Sequence, residues 1–182
     1  MIDCGISFNQ MKEDLYHCDT LLLTHSHGDH IKPATLQAIR REFPRIMIFG
    51  NSHVAYQFDV DKVIGSKPFD LKGGRTVIPF AGHHDIPVTC FIIQENDVNI
   101  LYATDTNRLD LPVTPIDYFF LESNYDEGKL AKIGKQYSTR HYDAVASSKR
   151  HLSTQQARAI CFLNRRTPES PFIELHKSTR FY

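Results

Sequence analysis

The feature that most constrains this chain is the segment 24–30, in which three histidines and one aspartate lie within six consecutive positions. These are His25, His27, Asp29 and His30. Burying several imidazoles without partners is costly, so this crowding favours a metal site over a polar loop that happens to be rich in histidine. His25 and His27 can project from one side of an extended turn, and Asp29 and His30 from the other. That arrangement predicts two ions.

Composition indicates a single globular domain over residues 1–182, because 41% of the residues are hydrophobic and 23% are charged. The formal net charge is zero at pH 7. The chain therefore lacks the overall field of a dedicated duplex-binding protein. Contact with a polyanion has to come from a local patch or from bound metals.

The four cysteines contain no CxxC pair, and most lie in or beside apolar runs, which predicts reduced core thiols. The amino terminus lacks both a basic segment and a long apolar stretch. We therefore expect no signal peptide and no membrane association, and a cytoplasmic location.

Seven apolar runs bounded by Gly, Pro, Asp or Asn predict buried strands. They cover residues 20–24, 45–49, 76–80, 89–93, 99–103, 116–121 and 172–175. Helical spacing predicts helices that begin at Pro33 and at Ser153, and shorter ones near residues 10–16, 54–58 and 126–133. Strands and helices that alternate in this way predict an α/β fold with helices covering the sheets.

The run His25-Ser26-His27-Gly28-Asp29-His30 is similar to the HxHxDH motif of the metallo-β-lactamase fold hydrolases. The resemblance implies a four-layer αβ/βα sandwich with its metal site at one edge between two sheets. Family members usually begin with a strand hairpin before the segment that residues 2–5 resemble. We therefore expect either a fold trimmed at its N-terminal edge or a start further upstream. A trimmed edge strand would need a cover, for which a homodimer is one candidate.

The resemblance also implies the third metal motif and a bridging ligand. A histidine followed by Asp-x-Pro points to His84, with His83 as the competing choice. Asp105 ends an apolar strand and matches the family aspartate that bridges two ions, although taken alone it would be a turn residue. One shared carboxylate can hold two dications about 3.5–4 Å apart.

Near the carboxyl end, His176 resembles the last metal motif of the ribonuclease Z branch, in which the ligand is followed by Ser and an Arg-aromatic pair. The alternative is an ordinary exposed histidine. Asp3 matches an aspartate that orients a ligand histidine in the family, or is a turn residue before Gly5.

Two further residues resemble a proton-transfer pair of the same branch. Glu122 follows a buried run and His151 precedes a capped helix, and an imidazole held by a carboxylate suits protonation of a leaving oxygen. The alternative is a surface histidine and a glutamate at a strand end.

The implied ligand sets are His25, His27 and His84 for one ion, Asp29, His30 and His176 for the other, and Asp105 as the bridge. Such ions lower the pKa of bound water toward about 7 and stabilise charge on phosphoryl oxygens. The two ions are expected to be divalent, and imidazole-rich shells favour zinc. Mn or Fe are alternatives because carboxylates are also present.

Two features of the resemblance favour a phosphodiesterase. Asp29 stands where several lactam-cleaving or thioester-cleaving members have cysteine, and the pair of Glu122 and His151 points the same way. We therefore assign Asp29, Glu122 and His151 as catalytic residues. The short span between His84 and Asp105 leaves no room for the arm with which ribonuclease Z grips tRNA. The predicted substrate is nucleic acid or a small nucleotide diester. The alternatives are a cyclic-nucleotide or other small-ester hydrolase of the same fold, and a non-enzymatic metal-binding module.

A group of basic residues offers a local phosphate contact, or else a solvated helix face. It consists of Lys129, Lys132, Lys135, Arg140, Lys149 and Arg150.

Overall fold

The computed structural model describes residues 1–139 and 143–182. The strands are β1 (Thr20–Leu23), β2 (Met47–Asn51), β3 (Lys62–Ile64), β4 (Phe69–Leu71), β5 (Arg75–Gly82), β6 (Val88–Glu95), β7 (Val98–Ala103), β8 (Tyr118–Glu122) and β9 (Phe172–Leu175). The helices are α1 (Phe8–Leu15), α2 (Pro33–Glu42), α3 (Ser52–Gln57), α4 (Glu127–Ile133), α5 (Ala144–Ser148) and α6 (Thr154–Asn164), with a 3-10 turn at Gly134–Tyr137.

The strands form two sheets. The smaller sheet is parallel, with the order β1-β2-β3. The larger sheet has the order β4-β5-β6-β7-β8-β9, in which β4 to β7 are antiparallel and β7, β8 and β9 are parallel. The tight turn between β6 and β7 uses Asn96 and Asp97, both at positive φ, as primed hairpin turns require.

Side-chain alternation along the strands creates the layers. In β1, Leu21 and Leu23 pack beneath α1 and α2, whereas Leu22 faces the other sheet and joins the cluster that contains Phe91 of β6. The opposite face of the larger sheet packs against Ala157 of α6. The order of layers is therefore helices, sheet, sheet, helices, and the predicted four-layer αβ/βα sandwich is confirmed.

All seven predicted strands and all five predicted helices are present, with ends shifted by a few residues. The sequence missed β3 and β4, which have three residues each and lie at sheet edges, and α5, which has five residues. These elements are too short to carry a periodic pattern. All four cysteines are free, and burial raises the pKa of the Cys4 thiol to about 12. In the described residues, no helix combines the length and apolar character needed to cross a bilayer.

The first residues of the chain cover one edge of the smaller sheet. The Leu22 N–H donates to the Met1 carbonyl at 3.0 Å, and the Asp3 N–H donates to the Leu22 carbonyl at 2.9 Å. This edge of β1 is thus paired with the first residues of the same chain.

Gly5 holds this N-terminal segment against the histidine-rich loop. A Cβ atom at Gly5 would lie 1.6 Å from the Asp29 carbonyl oxygen, so only glycine permits this approach. The neighbouring Cys4 N–H donates to the His30 carbonyl at 2.8 Å. The backbone of the loop is therefore fixed from the N-terminal side.

We predict that Gly5→Ala destabilises the fold by about 1–3 kcal/mol, because the added methyl group forces the backbone at residue 5 away from the backbone at Asp29. Gly65→Ala is the matched control, since a Cβ there meets no atom within 4 Å. Denaturant unfolding monitored by circular dichroism compares the two variants. Equal stability of both variants would contradict the tight contact.

Candidate metal centre

His25 leaves the end of β1 with its side chain buried and its tautomer defined. The Thr24 hydroxyl donates to Asp3 Oδ2 at 2.8 Å, so its oxygen accepts from His25 Nδ1 at 3.0 Å. This assignment leaves the lone pair of His25 Nε2 pointing into the centre. Burial lowers the pKa of His25 to about 3, and the ring is therefore neutral at pH 7.

Asp3 orients a second histidine directly. Its Oδ2 lies 2.7 Å from His30 Nδ1, which leaves His30 Nε2 facing Asp105 Oδ2 at 2.8 Å. Burial alone would lower the pKa of His30, but hydrogen bonds to Asp105 and Asp3 outweigh burial and raise the pKa to about 10. A metal ion bound by His30 and Asp105 would take the place of the proton between His30 Nε2 and Asp105 Oδ2.

His27 and His84 complete one side of the centre. His27 Nδ1 lies 3.1 Å from His25 Nε2, and the His84 ring lies 5.3 Å from the His27 ring. Two nitrogens bound to one tetrahedral zinc at about 2.0–2.1 Å lie roughly 3.3 Å apart, close to the observed spacing. His84 Nδ1 faces the Arg150 carbonyl at 3.3 Å, which leaves its Nε2 for the centre. Burial lowers the pKa of His84, although Asp105 and Asp85 oppose the change.

The structure separates the two competing histidines of the loop between β5 and β6. The side chain of His84 is only 4% exposed and faces the centre. His83 turns outward, with its Nε2 2.7 Å from Asp110 Oδ2 and 3.2 Å from the Arg108 guanidinium. His83 therefore pairs with surface charges and lies outside the cluster.

Asp105 lies between the two halves of the centre. Its Oδ2 contacts His30, while its Oδ1 lies 3.5 Å from His176 Nδ1 and 3.9 Å from His84 Nε2. Although burial would raise the pKa of Asp105, the hydrogen bond from His30 and the charges of His176 and His30 lower it below its usual range. The residue has φ +48°, a conformation that is strained for a non-glycine residue.

Glu122 orients two histidines with one oxygen. Its Oε1 lies 2.7 Å from His151 Nδ1 and 2.8 Å from His176 Nδ1, and its side chain is fully buried. Its Oε2 accepts from the Thr106 N–H at 2.7 Å. Burial would lower the pKa of His176, but Glu122 and Asp105 raise it. The Nε2 atoms of both histidines remain free of Glu122.

All seven predicted ligand residues fall within sets whose ligand atoms lie inside 4.8 Å of one another. Two sets are those expected from sequence, one joins His25 of the first to His30 of the second through Asp105, and one groups Asp105 and His176 with Glu122 and His151. The sets are His25, His27, His84; Asp29, His30, His176; His25, His30, Asp105; and Asp105, Glu122, His151, His176. Except for exposed Asp29, these converging imidazoles and carboxylates are buried or half-buried, which is costly without a cation, so the donor set fits divalent metal.

Three residues around the centre were missed from sequence. Asp85 Oδ1 lies 3.1 Å from His84 Nε2 and 3.6 Å from His27 Nε2, and its Oδ2 accepts from Arg150 at 3.0 Å. The Asn124 side-chain amide donates to the His176 carbonyl at 2.8 Å. The Thr24 hydroxyl links Asp3 to His25 through two hydrogen bonds. Asp85 was detectable because it directly follows a predicted ligand, whereas the other two contacts depend on tertiary packing.

The structure divides the predicted basic group. The Arg150 guanidinium is bound by Asp85, and the Lys129 ammonium donates to the Tyr182 carbonyl. Lys149 is exposed beside His151 in a surface cleft. Arg140 lies outside the described residues. Lys149 thus lies beside the centre with its side chain exposed.

Comparisons with known proteins agree with this architecture. A family model described as beta-lactamase superfamily domain matches residues 1–162. A search of curated proteins found no match. Three similar solved structures are the metallo-beta-lactamase fold protein YhfI from Bacillus subtilis, human tRNase Z short form (ELAC1) and a diphosphatase from the PhnP family.

The structural similarities are broad, and the sequences are distant. YhfI has a TM-score of 0.71 at 16% identity, over 97% of this chain and 73% of YhfI. Human tRNase Z has a TM-score of 0.67 at 18% identity, over 98% of this chain and 82% of its own. The diphosphatase has a TM-score of 0.64 at 17% identity, over 99% of this chain and 69% of the diphosphatase. At these identities the matches show the fold alone.

We predict close to two divalent metal ions per purified chain, and a loss of at least one in Asp105→Ala, because this carboxylate touches both halves of the centre. His83→Ala is the control, since that ring lies outside the cluster. Elemental analysis by mass spectrometry measures both variants beside the parent protein. If His83→Ala lost more metal than Asp105→Ala, the assignment of these residues would be wrong.

Proposed function

Because this chain belongs to the beta-lactamase superfamily and has the metallo-β-lactamase fold, whose members are generally metal-dependent hydrolases, we propose that it is a two-metal phosphodiesterase. Its substrates are nucleic acid or small nucleotide diesters. Superfamily members typically bind divalent metals such as zinc, and the donor set of this centre fits that class of ion. His25, His27 and His84 would hold one ion, Asp29, His30 and His176 the other, and Asp105 both.

The observation that carries the proposal is the contact of His151 with Glu122. His151 Nδ1 lies 2.7 Å from Glu122 Oε1 and 3.7 Å from Asp105 Oδ1, so the ring stands at the margin of the centre. A buried carboxylate that accepts from Nδ1 leaves Nε2 to exchange a proton. A diester with a poor leaving group needs such a proton donor.

The chain's own residues divide the work. Divalent ions held by these residues would supply an activated water and neutralise charge on phosphoryl oxygens. Asp3 fixes the tautomer of His30, and Glu122 fixes those of His151 and His176. His151 gives its Nε2 proton to the departing oxygen, and the Glu122 carboxylate stabilises the charged form of the ring that precedes this transfer.

The surface near His151 supports a phosphate-containing substrate. A polar cleft of about 450 Å³ is lined by His151 and His176 together with Ser147, Ser178, Thr179 and Arg180. Hydroxyl and guanidinium groups are good partners for phosphate oxygens. Two of the similar structures are named tRNase Z and diphosphatase, which also points to phosphoryl chemistry.

The connection between His84 and Asp105 provides no arm with which to grip a large substrate. It consists of β6, the tight turn at Asn96 and Asp97, and β7, so no arm extends from it. A grip on a folded tRNA body through this region has no structural basis here. Short single strands and small nucleotide diesters are therefore the preferred substrates of the proposal.

We predict that His151→Ala keeps its metal content but slows hydrolysis of diesters with poor leaving groups by about 10²–10⁴-fold, the usual effect of losing a general acid. The loss should shrink with p-nitrophenolate, which leaves without protonation. Steady-state kinetics on a dinucleotide and on bis-p-nitrophenyl phosphate measure both effects. Equal losses on the two substrates would point to a structural role for His151.

We also predict phosphodiester cleavage without useful β-lactam cleavage. A panel of single-stranded RNA, single-stranded DNA, cyclic nucleotides, bis-p-nitrophenyl phosphate and a chromogenic cephalosporin, assayed with added Zn or Mn, separates the alternatives. Cleavage of cyclic nucleotides alone would favour the small-ester hydrolase. Bound metal without turnover of any compound would favour the non-enzymatic module.

A further inference from the structure

A second cleft, of about 540 Å³, opens beside the candidate metal centre and shares His151 with it. Buried Tyr125 and Leu130 and half-buried Val145 supply its apolar lining. We call it the Tyr125 cleft. Its volume lies in the range of small-molecule sites and suits one nucleoside, whereas a duplex would not enter it.

Two polar side chains at the rim of the Tyr125 cleft, Glu127 and Gln156, both accept hydrogen bonds from Ser153. The Ser153 hydroxyl donates to Glu127 Oε1 at 2.6 Å, and the Ser153 N–H donates to Gln156 Oε1 at 2.9 Å. Among the contacts of the described residues, Glu127 Oε2 and Gln156 Nε2 have no hydrogen-bond partner. The rim thus offers one oxygen that only accepts and one nitrogen that only donates.

We propose that the Tyr125 cleft binds a nucleobase of the substrate, with the ring against Tyr125 and the base edge toward Glu127 and Gln156. This inference rests on the proposed phosphodiesterase function and makes the substrate a nucleotide diester. The Watson–Crick edge of a base presents an N–H beside an acceptor, which complements a carboxylate oxygen beside an amide N–H. Contact with the apolar lining formed by Tyr125, Leu130 and Val145 adds binding that any base can use.

The position of the cleft connects base binding to the chemistry. His151 lines both the Tyr125 cleft and the polar cleft that contains Ser178 and Arg180. A nucleoside in the first cleft therefore lies next to a phosphate at the centre. Exposed Lys149, also in the lining of the Tyr125 cleft, supplies a positive charge for that phosphate.

The test compares diesters that share one leaving group. Thymidine p-nitrophenyl phosphate is measured as its 5′ and 3′ isomers, and the faster isomer is used. It is compared with its N3-methyl analogue, in which the base N–H is blocked, and with base-free methyl p-nitrophenyl phosphate. The protein variants are Glu127→Gln and the matched control Glu169→Gln, an exposed glutamate outside the Tyr125 cleft.

We expect Glu127→Gln to lower kcat/KM for the thymidine diester by about 10-fold, the effect of weakening one charge-assisted hydrogen bond. N3-methylation should cause a similar loss in the parent protein, and the two losses should not add, because they remove the same contact. The base-free diester and the Glu169→Gln variant should change less than about twofold. Equal effects of Glu127→Gln on both diesters, or no effect on either, would overturn base binding while leaving the phosphodiesterase proposal intact.

A binding measurement separates the two proposals if no diester is hydrolysed. Saturation-transfer NMR with thymidine, which has no phosphodiester bond to cleave, detects occupation of the cleft in the protein as purified, without turnover. A signal in the parent protein that weakens in Glu127→Gln supports the cleft even if the phosphodiesterase proposal fails. A parent protein that gives no signal, or one that Glu127→Gln leaves unchanged, overturns the inference.

Discussion

The rest of the structure depends on the way two carboxylates fix the protons of the buried histidines. Asp3 accepts from His30 directly and from His25 through Thr24, and Glu122 accepts from His176 and His151. In each ring the other nitrogen, Nε2, is then free of Asp3 and Glu122 and is directed toward the centre or its margin. Nitrogens placed in this way around Asp105 need either a proton or a metal ion as a partner.

The topology supplies these groups at one edge of the sandwich. Asp105, Glu122 and His176 stand at the carboxyl ends of β7, β8 and β9, which are neighbouring parallel strands. His25 follows the carboxyl end of β1 in the other sheet. Asp3, Asp105 and His176 all have positive φ, so the backbone is strained at three points where the chain turns into the centre.

In the proposed function, the two clefts lined by His151 determine which substrate binds at the centre. The polar cleft offers hydroxyls and Arg180, whereas the Tyr125 cleft offers an apolar surface with a donor and an acceptor at its rim. A nucleotide diester is a ligand with matching parts, since it joins an anionic phosphate to a flat base with a polar edge. The compact hairpin of β6 and β7 leaves the approach to the centre without an inserted arm.

The sequence by itself determined the α/β class and the order of the longer elements, because apolar periodicity is a local property. The seven candidate ligands came from short motifs that resemble those of a known family. It also favoured His84 over His83 through the Asp-x-Pro pattern. Only the tertiary structure brought Asp85 beside His27, and made one oxygen of Glu122 serve both His151 and His176. Such contacts join residues far apart in the chain, and their distances depend on strand register and layer packing. The Tyr125 cleft was likewise invisible in the sequence, because its lining comes from separate segments of the chain.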